Sequence, residues 1–196
     1  MLLAAGEGSR LGQPKALVEL NGQTLAERGV QLLRVGGADP VLVVAGAVPI
    51  QLTGAHTVYN KEWRTGMGSS LRAGLGALEP TGVGAVVVAL ADQPLVGAEA
   101  VARLIAAYRG GATVVVAAYH AKPRNPVLLA REHWPEVIAM ATGDTGARAF
   151  LRARADLVTL VECGDTGQPD DIDTAADLAR VAAAIARPHP GPQPHA

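Results

Sequence analysis

The residues best placed by type and spacing to do chemistry lie at the start of the chain. They read Leu3-Ala4-Ala5-Gly6-Glu7-Gly8-Ser9-Arg10-Leu11-Gly12-Gln13-Pro14-Lys15. Where a strand runs into glycines, no Cβ blocks the approach of a phosphate to backbone N–H groups. Arg10 could add a planar fork of donors and Lys15 a compact point charge. The segment lacks the third glycine and later acidic residue of a dinucleotide fingerprint, and the Gly-Lys-Ser/Thr end of a P-loop. A tight loop between strand and helix is the plain alternative for its glycines.

Three later segments also carry candidate chemistry. Asp92 follows the apolar run Ala85 to Leu90, which sets its carboxylate at the C-terminal end of a buried strand. Ligands of open α/β sheets bind at such ends, and a carboxylate oxygen suits Mg²⁺ on a triphosphate. A turn through Asp92-Gln93-Pro94 is the competing reading. Gly66-Met67-Gly68-Ser69-Ser70 could open a helix whose free N–H groups face a ligand, or supply a serine cap. Asp144 and Arg148 have the spacing of a helix-surface ion pair, with substrate contact as the alternative.

These residues need a scaffold, and the hydrophobic pattern supplies one. Val41 to Ala45, His56 to Tyr59, Ala85 to Leu90 and Thr113 to Ala118 read as strands, the apolar ones buried on both faces. Helical patterns separate or follow them at Thr24 to Val35, Ser69 to Leu78, Ala98 to Tyr108, Asp144 to Ala153 and Thr174 to Ala186. The alternation predicts an α/β fold: a single-domain, open, mostly parallel sheet flanked by helices, over residues 1–187. The first strand, Met1 to Ala4, is short for the centre of such a sheet, which leaves open an extension before Met1. Residues 188–196, with four prolines, predict a disordered tail.

Composition narrows the function classes. The 196 residues suit one domain, and 49 % hydrophobic residues exclude general disorder. With only 3 % aromatics, Ala, Val and Leu must fill the core. A net charge of -1 offers no general attraction to nucleic acid or an anionic membrane. The single cysteine, Cys163, allows no intrachain disulfide, and no apolar run is long enough for a membrane span. These features together predict a cytoplasmic protein.

The segment Leu3 to Lys15 resembles the signature of MobA-like nucleotidyltransferases, and later segments resemble the branch that matures molybdenum cofactor with CTP. They are Trp63 to Arg72, Leu90 to Leu95, Gly143 to Arg148, and Asp171-Ile172-Asp173-Thr174 with Asp177-Leu178 after it. Together they run in the family's order over nearly the whole chain. The resemblance implies a nucleotide-diphospho-sugar transferase-like fold and cytidylyl transfer to molybdopterin, with a molybdenum hydroxylase as a candidate partner. It implies Arg10, Lys15 and Asp92 as catalytic residues. Nucleotide contacts would come from Ala4, Ala5, Gly6, Gly8, Ser9, Arg10 and Lys15, with Gly68 and Ser69 reading the base. Mg²⁺ would be held by Asp92 and Asp173, although Asp173 or Thr174 could instead cap the last helix.

Other members of the family use GTP, usually with Ala-Gly-Gly where this chain has Ala4-Ala5-Gly6. Arg124-Asn125-Pro126 stands where the family has Gly-His-Pro, so the acceptor's identity stays open. Arg124, Asn125, Asp144 and Arg148 are the candidate acceptor contacts. Two rival readings remain: an NAD(P)H-dependent oxidoreductase of the nicotine blue type, found in this branch, and a non-catalytic molybdenum-cofactor-binding protein.

Overall fold

The computed structural model describes residues 1–186, and the expected tail at 188–196 lies outside the described residues. The main sheet has seven strands: β1 (Leu2–Ala4), β4 (Leu42–Ala45), β5 (His56–Tyr59), β6 (Ala85–Leu90), β7 (Val114–Tyr119), β8 (Lys122–Ala130) and β9 (Val158–Glu162). Their spatial order is β5-β4-β1-β6-β8-β7-β9. All run parallel except β8, which is antiparallel to both β6 and β7. A separate hairpin pairs β2 (Glu19–Leu20) with β3 (Gln23–Thr24). Its turn uses Asn21 and Gly22, both at positive φ, the geometry such a tight hairpin requires.

Alternate side chains of each strand face opposite layers. Leu2, Val43, Val87 and Val115 face α1 (Leu25–Val35) and α3 (Ala98–Arg109), where Val30, Leu33, Val101 and Leu104 complete one core. Leu3, Val44, Val88 and Val116 face α2 (Met67–Leu78), α4 (Trp134–Met140) and α5 (Arg148–Ala153), meeting Leu71, Leu75, Trp134 and Phe150. A third, smaller core joins Val18, Leu20 and Leu25 to Ile172 and to Val181 of α6 (Ala175–Ala186).

The expected strands and most of the expected helices form within a residue or two of their predicted limits. One helix does not. The stretch from Asp144 to Ala153 is split: a tight turn spans Gly143–Thr145, Gly146 takes φ 52°, and only then does α5 begin. The separation also removes the expected Asp144–Arg148 helix pair. Four strands went unpredicted, the two of the short hairpin and two of the main sheet. In β8, Pro123 and Pro126 argue against a strand, but both precede Val127, where pairing to β6 starts, so their missing N–H groups interrupt no ladder on that side. In β9 the edge position leaves Thr159 and Leu160 exposed, and no buried apolar run marks the strand.

Candidate active site

The parallel strands deliver their C-terminal ends to one edge of the sheet. There β1 and β6 are neighbours, with Leu3 opposite Leu90, so the loops beginning at Ala5 and Ala91 leave side by side. The Ala91 N–H donates to the Leu3 carbonyl, continuing the pairing one step past the strand. A cleft of about 520 Å³ opens above them, lined at one end by Ala4, Ala5, Gly6, Lys15 and Asp92. Trp63, Arg64, Met67, Ser70 and Asp144 line the rest.

At the first end, Lys15 is the hub. Its Nζ donates to Asp92 Oδ2 at 2.7 Å and to Asp173 Oδ1 at 2.5 Å, and its side chain is only 21 % exposed. Burial alone would lower the Lys15 pKa. The Asp92 charge and the hydrogen bonds to both aspartates outweigh burial and hold it above the ordinary value. Arg10 stands outside, with its side chain 74 % exposed and 3.7 Å from Asp173. The cap ambiguity at the last helix is resolved in favour of Thr174: its Oγ1 accepts from Asp177 N–H, while its own N–H donates to the Asp177 carboxylate. Asp173 is thereby free to meet Lys15.

The glycines of the first loop differ in cause. A Cβ on Gly6 would meet no protein atom within 4 Å, so packing does not demand a glycine there. Gly8 has φ 61°, and a Cβ would strike the Gln13 carbonyl, so the fold itself requires it. Ser9 is exposed.

At the other end, Gly66 at φ 106° begins α2 with no side-chain cap. The Met67 N–H instead donates to Asp144 Oδ1 at 3.3 Å, a cap supplied from 77 residues away. Arg72 ties the Ala141 carbonyl to the same helix. A Cβ on Gly68 would lie 2.7 Å from the Ala141 carbonyl carbon, so Gly68 packs against that loop rather than facing the cleft. Ser69 is likewise turned inward: its hydroxyl accepts from Asn60 Nδ2 at 2.8 Å and has the Glu62 and Gly66 carbonyls within reach. Ser70, not Ser69, lines the cleft.

The expected acceptor residues are scattered. Asp144 lines the cleft, whereas Arg124 is exposed, its guanidinium donating to the adjacent Pro123 carbonyl, and Asn125 and Arg148 stand off the lining. Sequence reasoning missed Asn60, a buried amide that organises the second loop by bonding Ser69, Ser70 and the Glu62 N–H. It also missed Asp171 and Gln93, although both lie inside motifs it singled out. Gln93 Nε2 donates to Asp171 Oδ1 at 2.8 Å. Burial and the charges of Asp92 and Asp173 raise the Asp171 pKa, against the opposing effect of that bond.

A glycine-rich loop and an acidic pair at the C-terminal edge of a mostly parallel sheet define an α/β nucleotidyltransferase of the nucleotide-diphospho-sugar transferase fold. The chain belongs to the family described as MobA-like NTP transferase domain, which matches residues 1–158. It is 36 % identical over 196 residues to the nicotine blue oxidoreductase of Paenarthrobacter nicotinovorans, covering 92 % of this chain and 94 % of that protein. It is 34 % identical over 116 residues to a probable molybdenum cofactor guanylyltransferase of Opitutus terrae, covering 59 % and 57 % respectively. Among solved structures, a homologue of Mycobacterium tuberculosis Rv0371c from Mycobacterium sp. strain JC1 superposes with a TM-score of 0.82 at 31 % identity, covering 94 % of each chain. No helix among the described residues is long and apolar enough to cross a membrane.

Proposed function

We propose that this chain transfers a cytidylyl group from CTP to a molybdopterin-type acceptor and releases pyrophosphate. The observation that carries the reading is the meeting of Asp92 and Asp173 on the Lys15 ammonium, at the end of the cleft lined by Gly6. With Lys15 turned to the phosphates, the two carboxylate oxygens that it holds together would suit Mg²⁺, with triphosphate oxygens and water to complete its shell. Bound there, the cation would neutralise charge developing on the leaving pyrophosphate.

The remaining chemistry falls to the chain's own groups. An oxygen of the acceptor's phosphate attacks the α-phosphorus, and the bond to the pyrophosphate oxygen breaks. That phosphate is already anionic, so no general base is demanded. Lys15 and Arg10 align and screen the phosphates, and the N–H groups around Gly6 add fixed dipoles. The choice of CTP rests on the resemblance carried by Ala4-Ala5-Gly6, and the guanylyltransferase relative makes GTP the alternative. The acceptor rests on the same resemblance. In this reading residues 1–187 form the catalytic domain, and of the acceptor candidates Asp144, which lines the cleft, is the one placed to meet the acceptor.

The nicotine blue oxidoreductase relative supports a second reading, hydride transfer from NAD(P)H. Pyrophosphate release measured with each of the four ribonucleotides, with molybdopterin present or omitted, tests the first. NAD(P)H oxidation by the pigment, with and without protein, tests the second. A cofactor-holding protein would bind molybdopterin and release nothing. Asp92→Asn should lower metal-dependent turnover by roughly 10²-fold or more while the fold persists. Near-normal turnover with Mg²⁺ in that variant would remove Asp92 from the site.

A further inference from the structure

We propose that Gln93 is a positioning residue that fixes the geometry of the Asp92–Asp173 pair, an inference that rests on the metal-nucleotide reading of the cleft. Gln93 is 5 % exposed, and both hydrogens of its amide nitrogen are used. One reaches the Pro169 carbonyl at 3.3 Å and the other Asp171 Oδ1 at 2.8 Å. Its amide oxygen, by contrast, is buried and has no partner. Turned over, the amide would set that oxygen against a carbonyl and a carboxylate, neither of which can donate. The unsatisfied oxygen is therefore the cost of presenting two donors to the segment that carries Asp173.

The neighbouring backbone grips the same segment. The Ile172 N–H donates to the Asp92 carbonyl at 2.8 Å, and the Ile172 side chain is fully buried with Val18, Leu20 and Leu25. Asp92 and Gln93 thus hold residues 169, 171 and 172 between them, and Asp173 follows with its carboxylate on Lys15. The Gln93 bond also occupies Asp171, the third carboxylate nearby, so that it does not join the pair. Gln93 does not itself line the cleft above the pair, and its amide bonds neither Asp92 nor Asp173. It acts through Asp171 and the backbone.

The test is Mn²⁺ binding by the full-length chain without nucleotide, followed by the electron paramagnetic resonance signal of free Mn²⁺. Gln93→Glu sets a carboxylate against Asp171 and the Pro169 carbonyl, and should weaken Mn²⁺ binding by about tenfold or more. Adding Asp171→Asn exchanges donor and acceptor across the same bond, while the Pro169 carbonyl stays without its donor, and should recover about half or more of the lost binding free energy. Gln93→Met removes the donors without adding charge; it should weaken binding roughly fivefold and serves if Gln93→Glu does not fold.

Asp92→Asn separates the two readings. If the unaltered chain binds no Mn²⁺, or Asp92→Asn binds it equally well, the metal site falls and the role of Gln93 with it. If Asp92→Asn loses binding while the folded Gln93 variants bind as tightly as the unaltered chain or more tightly, the Gln93 role alone is overturned. A double variant that regains thermal stability but not affinity overturns it too.

Discussion

Two glycine-bearing loops flank the cleft, and Gly6 of the first differs in cause from Gly66 and Gly68 of the second. In the first, Gly6 sits where a Cβ would meet no protein atom. In the second, Gly66 and Gly68 sit where a Cβ would collide with the backbone at Gly143 and Ala141. Sequence alone treats both loops as backbone cradles for a ligand. Asking what a Cβ would touch distinguishes a glycine required by the protein from one its packing leaves unexplained. By that measure the second loop is a packing joint, with Asp144 and Arg72 fastening α2 to residues 141–144.

The largest test of this contrast lies beside the first loop. Lys15→Ala should weaken binding of a nonhydrolysable CTP analogue with Mg²⁺ by roughly tenfold to a hundredfold, since charge-assisted bonds are worth about 1.5–3 kcal/mol. Glu19→Ala, an exposed change a few residues on, should do far less. Calorimetry on both variants decides the matter, and unchanged binding in Lys15→Ala would detach the ammonium from the phosphates. Next comes Gly68→Ala, where the clash is with backbone that no side-chain rotation relieves. It should cost about 1–3 kcal/mol in urea unfolding.

Gly6→Ala is the converse. Its unfolding free energy should stay within about 0.5 kcal/mol of the unaltered protein. Its nucleotide affinity should fall roughly fivefold, as for one backbone hydrogen bond held off by a methyl group. A variant that lost stability and kept affinity would erase the distinction between the loops.

The smallest effect separates capping from chemistry at the acidic end. Thr174→Ala should lower stability by about 1 kcal/mol through loss of the cap on α6. Asp173→Asn should leave that cap intact. Asp177, bonded by the Thr174 hydroxyl and then by Arg180, has its pKa lowered to about 2. Its contribution is therefore present above the ordinary aspartate pKa and lost as pH falls through about 2. An acid titration of helicity should show this loss in the unaltered chain and a weaker one in Thr174→Ala.

What was legible in the sequence follows the same division between local and distant causes. The buried strands announce themselves because Val86 to Val88 and Val114 to Val116 are continuous apolar runs covered on both faces. Strand β8 was hidden by Pro123 and Pro126, whose place beyond the end of the β6 ladder only the register reveals. Thr174 and Asp173 were equal candidates for one cap until the Asp177 hydrogen bonds chose between them. Ser69 and Ser70 differ by a single step in sequence and both meet Asn60, and only the Glu62 and Gly66 carbonyls beside Ser69 tell which of them turns inward. Gln93 stood inside a motif already singled out, but its meaning depends on partners 76 and 78 residues away, which local pattern cannot show.

The contact between Lys15 and Asp173 spans 158 positions of the chain. Closing so long a loop costs entropy that nearby contacts do not repay in advance, so such pairings form late. During synthesis the first loop, the hairpin β2–β3 and α1 leave the ribosome long before Ile172 and Val181, the residues that complete their small core. Until then Val18, Leu20 and Leu25 lack that cover. Order of emergence thus makes the segment that carries Asp173 the last part of the centre to arrive, and a nascent chain holds no finished acidic pair until that segment is in place.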